Sequence, residues 1–148
     1  MRNIIYTIVF LCCANNLLAQ KTVRLKINHF LNNNTFVSGQ MATNNLGSNF
    51  QVDRIQYYIS EITLYHDNTT TKLAGKHLLV NANTAVNDSL GVFNIISLDS
   101  ISFGIGVDTA YNHLDPAYYF PGHPLAPQSP SMHWGWTAGY RFVVYEGF

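Results

Sequence analysis

The chain has very little cysteine, and what it has lies at the extreme N-terminus. Cys12 and Cys13 are its only two cysteines. Downstream of them the chain has no thiol with which to form a disulfide, a zinc–thiolate site or a cysteine nucleophile. A soft or borderline metal ion would have to be held there by histidine, methionine or modified side chains.

Charged residues are also scarce, and neither sign is in excess. The 148 residues include eight Lys and Arg against eight Asp and Glu. Removal of Arg2 with the N-terminal segment leaves seven cations against eight acids, a net charge of about −1. This balance argues against nucleic acid or an anionic membrane surface as a partner. G-x-S-x-G, Walker and complete G-x-G-x-x-G motifs are missing, as is an evident pair of catalytic carboxylates, so we do not expect an enzyme.

Residues 1–19 have the pattern of a secretory signal peptide. One cation, Arg2, precedes an apolar run over residues 4–14, and the segment ends in "LLA" at Ala19. The run is too short to span about 30 Å of hydrocarbon, and no lipobox precedes either cysteine. We therefore expect export to the periplasm or outside the cell, no membrane span, and a single domain over residues 20–148.

The remaining sequence has the pattern of β-strands throughout. Apolar, β-branched and aromatic residues alternate or cluster in five segments: 22–30, 55–66, 76–81, 100–108 and 140–147. No segment has a convincing helical period, and residues 45–49 and 81–88 are predicted to be linkers. The pattern predicts an all-β domain, an antiparallel β-sandwich or open barrel. The chain stops directly after its last predicted strand, which fits either a complete sandwich or a chain truncated at its C-terminus.

One long loop is predicted over residues 112–131. All five prolines lie between Pro116 and Pro130, and proline lacks the N–H group that a sheet ladder needs. Long loops without regular structure are usually either functional or disordered. The aromatic residues of "AYYF" argue against disorder and predict an ordered loop that packs on the sheet.

Three of the six histidines, His113, His123 and His133, lie along or beside this loop. Neutral imidazole binds Cu(I), Cu(II) and Zn(II), so these three are candidate metal ligands. For each of them a surface or capping role is the alternative. The other three are expected to be structural or solvated: His29 on the apolar face of a strand, and His66 and His77 in solvent beside turns.

The segment "MHWGW" places Trp134 and Trp136 on either side of a glycine. On a strand the two indoles would share one face, and Gly135 would leave room for a bulky group. Three interpretations are open at this point: two core anchors, an aromatic platform for sugars, or a redox or metal site.

Four segments occur in an order that resembles the MbnP-like family, exported proteins named for their link to methanobactin-type copper acquisition. The segments are "YYISEITL" (57–64), "FGIGVD" (103–108), "LDP" (114–116) and "MHWGWTAGYRFVVYEG" (132–147). The resemblance covers roughly residues 25–147. Its most specific part is M-x-W-x-W-x-x-G-Y, formed by Met132, Trp134, Trp136, Gly139 and Tyr140, and Asp115 belongs to the "LDP" segment as a turn residue.

The resemblance implies a copper-binding protein that is not itself an enzyme, binds Cu(I) in preference to Cu(II) and has no organic cofactor. It also implies a partner, a di-haem cytochrome c peroxidase-like protein that oxidises one tryptophan to kynurenine. The expected site combines some of His113, His123 and His133 with one of the two indoles, lined by Met132. Trp134 is preferred for modification because it follows His133 and precedes the space at Gly135.

Two rival interpretations remain. The first is a module that binds carbohydrate or protein on a platform of Trp134, Trp136, Tyr118 and Tyr119. The second is a structural member that keeps the fold without the metal. Relatives are also expected to continue beyond Gly147 with further strands and a further histidine, so the site of this chain is expected to lack one ligand if the chain is truncated.

Overall fold

The computed structural model describes residues 20–148; the predicted signal peptide lies outside them. The described residues contain a short helix, α1 (Thr109–Asn112), a 3-10 helix (Pro116–Tyr118), and these strands: β1 (Lys21–Ile27), β2 (Phe30–Leu31), β3 (Asn34–Thr35), β4 (Gln40–Thr43), β5 (Asn49–His66), β6 (Thr69–Lys72), β7 (Leu78–Asn81), β8 (Val86–Phe93), β9 (Leu98–Ile105) and β10 (Val143–Gly147). Every strand pair is antiparallel. The prediction of an all-β, antiparallel domain is confirmed.

Strand β5 is the centre of the main sheet. It is 18 residues long and rich in β-branched and aromatic residues, with no proline or glycine to end it. Gln56 pairs with Asn81 of β7 on one edge and with Val144 of β10 on the other. By the same comparison of registers, β4 and β6 pair with β5 on the same side as β7, and β9 pairs with β5 on the same side as β10.

The ribbon of β1 and β8 packs against this sheet and closes the first hydrophobic core. Ile59, Ile62 and Leu64 of β5 are fully buried in one cluster with Val23 of β1 and Leu90 of β8. The prediction of a linker over residues 81–88 is wrong at its end, because β8 begins at Val86. The three polar residues "NDS" separate Val86 from Leu90, the two buried positions of β8, so the segment lacks the alternation that is typical of a strand.

The proline-bearing segment packs on the same sheet and forms a second core. Between β9 and β10 the described chain has α1, the 3-10 helix and one isolated bridge, and no strand. Leu125 is fully buried in a cluster that includes Tyr58 of β5 and Val144 of β10. The predicted loop over residues 112–131 is therefore confirmed as a loop that folds against the sheet.

The prediction that His66 and His77 are solvated is wrong. Their exposed fractions are 7% and 4%. The His77 Nε2 atom lies 3.0 Å from Asp108 Oδ2, and His66 Nε2 lies 2.8 Å from Thr71 Oγ1. The positions of His66 and His77 beside turns predicted that both rings are exposed, but neighbouring segments fold over both rings and bury them.

His29 lies just beyond the end of β1 and is half-buried, with Nε2 2.9 Å from the Tyr57 hydroxyl oxygen.

Within residues 20–148 no helix has the length and apolar character needed to cross a membrane.

Candidate functional site

Both tryptophans lie on a tight hairpin over residues 132–141, which we call the indole hairpin. The Arg141 N–H donates to the Met132 carbonyl at 2.9 Å, and the Trp134 N–H donates to the Gly139 carbonyl at 2.9 Å. The prediction that the two indoles project from one face of a strand is therefore wrong. Side chains two residues apart share a face only on a regular strand. Here the chain turns, and Trp134 and Trp136 lie at the tip of the hairpin.

Two glycines and Asn112 hold the tip of the indole hairpin in place. Gly135 and Gly139 have φ angles of +92° and +74°, which side chains other than glycine rarely adopt. A Cβ atom on Gly139 would lie 2.6 Å from the Asn112 carbonyl oxygen. The Asn112 side-chain oxygen also accepts the Tyr140 N–H at 2.9 Å. The end of α1 thus fixes the position of the hairpin.

Both indoles are largely exposed. The exposed fraction is 68% for Trp134 and 64% for Trp136. This excludes the interpretation of the pair as core anchors. The structure displays two large, oxidisable aromatic rings at one surface.

His113 is anchored beside Trp136 with its orientation fixed. Its Nδ1 lies 3.1 Å from the Trp136 carbonyl oxygen, and its Nε2 lies 3.4 Å from Asn112 Nδ2. A carbonyl only accepts, so Nδ1 carries the proton, and the lone pair is on Nε2. An Nδ1–H bonded to a main-chain carbonyl is typical of metal-binding histidines.

The ring of His133 is edge-on to the indole of Trp136, with the ring centroids 6.5 Å apart. Its Nδ1 accepts the Gly135 N–H at 3.1 Å. The proton of the neutral ring is therefore on Nε2, which is buried and has no hydrogen-bond partner within the described chain. Metal binding through Nε2 would move this proton to Nδ1 and break the bond to Gly135.

The contacts of His123 involve neither His113 nor His133. Its ring stacks on Tyr119, with centroids 4.4 Å apart and planes 10° apart, and its Nδ1 accepts the Leu125 N–H at 3.1 Å. It borders a surface depression together with His77. Across residues 20–148 no group of three His, Cys, Asp or Glu side chains is arranged to hold a metal ion. The three predicted ligands are thus not brought together as one set.

Met132 and Tyr140 of the indole hairpin line a cavity of about 260 Å³ together with Asp115. Met132 is 1% exposed, and its sulfur accepts from Arg54 Nη2 at 3.3 Å. Asp115 caps the 3-10 helix by accepting the Ala117 N–H at 2.9 Å. Tyr140 is buried, and its hydroxyl donates to the Leu125 carbonyl at 2.6 Å. These three residues support the site and are not exposed ligands.

Arg141 is a functional neighbour of the indoles that the sequence did not predict. Its guanidinium carbon lies 4.6 Å from the centroid of the Trp134 ring, a cation–π contact. Asn112, which holds the hairpin, was not predicted either. The Arg141 contact depends on the turn of the hairpin, and the Asn112 contact depends on the packing of the hairpin against α1. The local residue pattern predicts neither contact.

Acid pH is expected to weaken the fold through His123. Burial lowers the pKa of His123 from 6.5, and the nearby His77 lowers it further. Between the lowered pKa and 6.5 the unfolded chain binds more protons, so stability falls as pH falls through this window. Denaturant unfolding at pH 7.5 and pH 5 measures the loss, which should be smaller in His123→Gln than in the wild type. The exposed His113→Gln variant is the control, and an equal loss in all three proteins would contradict the prediction.

These features define an all-β domain that presents two exposed indoles on a histidine-flanked hairpin. The MbnP family model matches residues 20–148, nearly the whole chain. The chain belongs to the MbnP family, as its four sequence segments predicted. No curated protein and no solved structure matches it.

Proposed function

We propose that this chain is an exported copper-binding protein, without enzymatic activity of its own, whose copper ligands include His113 and His133 beside Trp136. The observation that carries the proposal is the anchoring of His113. Its Nδ1–H is bonded to the Trp136 carbonyl, which leaves the lone pair on Nε2 beside an exposed indole. A metal ion bound there would replace the 3.4 Å contact between Nε2 and the Asn112 side-chain amide.

The chemistry of the available donors supports copper. Residues 20–148 contain no thiol, and Met132 is buried against Arg54. Neutral imidazole is therefore the strongest donor at this surface, and it suits copper among the biological metals. A set of only two imidazoles favours a low-coordinate ion such as Cu(I), with a further donor supplied by a modified side chain.

Family membership supports the second half of the proposal, oxidation of one indole to kynurenine by a di-haem cytochrome c peroxidase-like partner. Kynurenine carries an aromatic amine and a carbonyl that indole lacks. Both Trp134 and Trp136 are exposed, so either ring is accessible to a partner that removes electrons at the surface. The signal-like segment at residues 1–19 supports a periplasmic or secreted location for this chain.

Alanine at either proposed ligand should weaken copper binding. We expect His113→Ala and His133→Ala each to lower Cu(I) affinity about tenfold or more, because each removes one of few donors. Competition with a chromophoric Cu(I) chelator, under anaerobic conditions, measures the affinity. His29→Gln is the matched control, since His29 contacts Tyr57 and not the hairpin. Affinity unchanged in both alanine variants would remove these residues as ligands.

The exposure of the aromatic rings favours one alternative, a platform for carbohydrate. Tyr118 is 83% exposed, and the two indoles are 68% and 64% exposed. Oligosaccharide binding would quench or shift tryptophan fluorescence in the absence of copper. Saturable quenching by sugars together with no response to Cu(I) would favour the platform over the copper site.

A further inference from the structure

The two indoles of the hairpin are equally accessible but differ in charge environment. Their exposed fractions are nearly the same, 68% for Trp134 and 64% for Trp136. The Arg141 guanidinium lies over Trp134 at 4.6 Å from the ring centroid. Within residues 20–148 no other aromatic ring has a cation over its face. Charge, and not access, therefore distinguishes the two rings.

The positive charge beside Trp134 is only partly neutralised. Glu146 Oε1 lies 3.8 Å from Arg141 Nη1 and 3.4 Å from Arg54 Nη1. Two guanidinium groups thus share one carboxylate, which leaves one positive charge uncompensated. The side chains of Arg54 and Arg141 are 13% and 24% exposed, so solvent screens this charge less than it would screen a charge at an open surface.

Oxidation of an indole begins with the loss of one electron, which leaves a radical cation. A guanidinium over the ring attracts the neutral indole through its π-electrons and repels the radical cation. Both effects make Trp134 harder to oxidise. The groups beside Trp136 are the imidazoles of His113 and His133, one bonded to its carbonyl and one edge-on to its ring.

We propose that Trp136, and not Trp134, is the oxidised residue of the indole hairpin, and that Arg141 protects Trp134. This inference rests on the proposed function, in which one indole is oxidised by a peroxide-driven haem protein. It replaces the preference for Trp134, which rested on sequence position alone.

The complete reaction is balanced by two molecules of hydrogen peroxide. The C2–C3 bond of the indole breaks, and each of these two carbons gains one oxygen atom, which gives N-formylkynurenine. The indole loses four electrons, and the two peroxide molecules are reduced to two molecules of water. Water then hydrolyses the N-formyl group, which leaves as formate, and the side chain that remains is kynurenine.

The test uses the mature protein and a small one-electron oxidant in place of the partner enzyme, photogenerated tris-bipyridine ruthenium(III). Peptide mapping by mass spectrometry then measures oxidation at each tryptophan. We expect about tenfold more product at Trp136 than at Trp134, a ratio that falls as salt screens the guanidinium. Arg141→Gln should raise oxidation of Trp134 until the two residues react similarly. Arg141→Lys should retain most of the protection, and Arg24→Gln, which lies on β1, is the control.

Single-tryptophan proteins keep the test decisive if Arg141→Gln does not fold. Trp136→Phe leaves only the protected indole and should be oxidised slowly, whereas Trp134→Phe should be oxidised quickly. Equal rates in these two variants, or dominant product at Trp134 in the wild type, would overturn the proposal. No copper and no partner enzyme is present, so the result is independent of the Cu(I) titration, and either hypothesis can fail without the other.

Discussion

Replacing Leu125 by alanine is expected to lower the free energy of unfolding by about 2–5 kcal/mol, the usual cost of emptying a buried leucine site. Leu125 is fully buried, although it lies in the middle of the proline-bearing loop. It packs in the cluster that joins this loop to Tyr58 of β5 and to the indole hairpin at Tyr140. The side chain therefore fixes the loop to the sheet, and its loss should loosen the site as well as the fold.

Urea unfolding followed by far-UV circular dichroism measures the predicted loss. Leu46→Ala is the matched control, because Leu46 is 83% exposed and an exposed substitution usually changes stability by about 0.5 kcal/mol or less. Similar losses in the two variants would show that the loop does not depend on Leu125 for its attachment.

Alanine at Gly139 is expected to disrupt the indole hairpin, with a loss of about 2–4 kcal/mol. Positive φ alone costs about 1–2 kcal/mol for a residue with a Cβ atom. The added Cβ would also lie 2.6 Å from the Asn112 carbonyl oxygen, which is main chain and cannot rotate away. The hairpin must then move off α1, which breaks the bond between the Tyr140 N–H and Asn112.

Gly135→Ala separates the two causes of this loss. Gly135 also has positive φ, but a Cβ there meets no atom within 4 Å. We expect Gly135→Ala to lower the free energy of unfolding by about 1–2 kcal/mol and to leave Cu(I) affinity nearly unchanged. Near-UV circular dichroism of the indoles and the Cu(I) titration measure both effects. Equal behaviour of the two variants would show that contact with Asn112 is unimportant for the hairpin.

Much of the fold was predictable because its signals are local. The sequence of β5 predicts a strand because it is rich in β-branched and aromatic residues. The prolines between Pro116 and Pro130 exclude a ladder wherever they occur. Strand β8 was missed because Val86 and Leu90, its two buried positions, are separated by polar residues that resemble a linker.

The candidate site was predictable only in part. The motif over residues 132–140 singled out the two indoles, although it predicted a strand in place of the hairpin. His113 and His133 do lie beside Trp136. His123 shares their residue type and their loop, yet it stacks on Tyr119 and borders His77. Nothing in the spacing of these three histidines predicts that His123 contacts Tyr119 while the other two contact Trp136.

The sequence by itself determined that residues 20–148 form a β domain of the MbnP family that has no thiol and has one proline-bearing loop, because residue type and short-range pattern limit backbone conformation directly. The tertiary structure alone decided which groups meet: Asn112 with the hairpin tip, His113 with the Trp136 carbonyl, and Arg141 with Trp134. The contacts of Asn112 and His113 join α1 to the hairpin, and these two segments are brought together by the packing of Leu125 and Tyr140 on the sheet. Packing acts between side chains distant along the chain, so no local pattern of residues contains it.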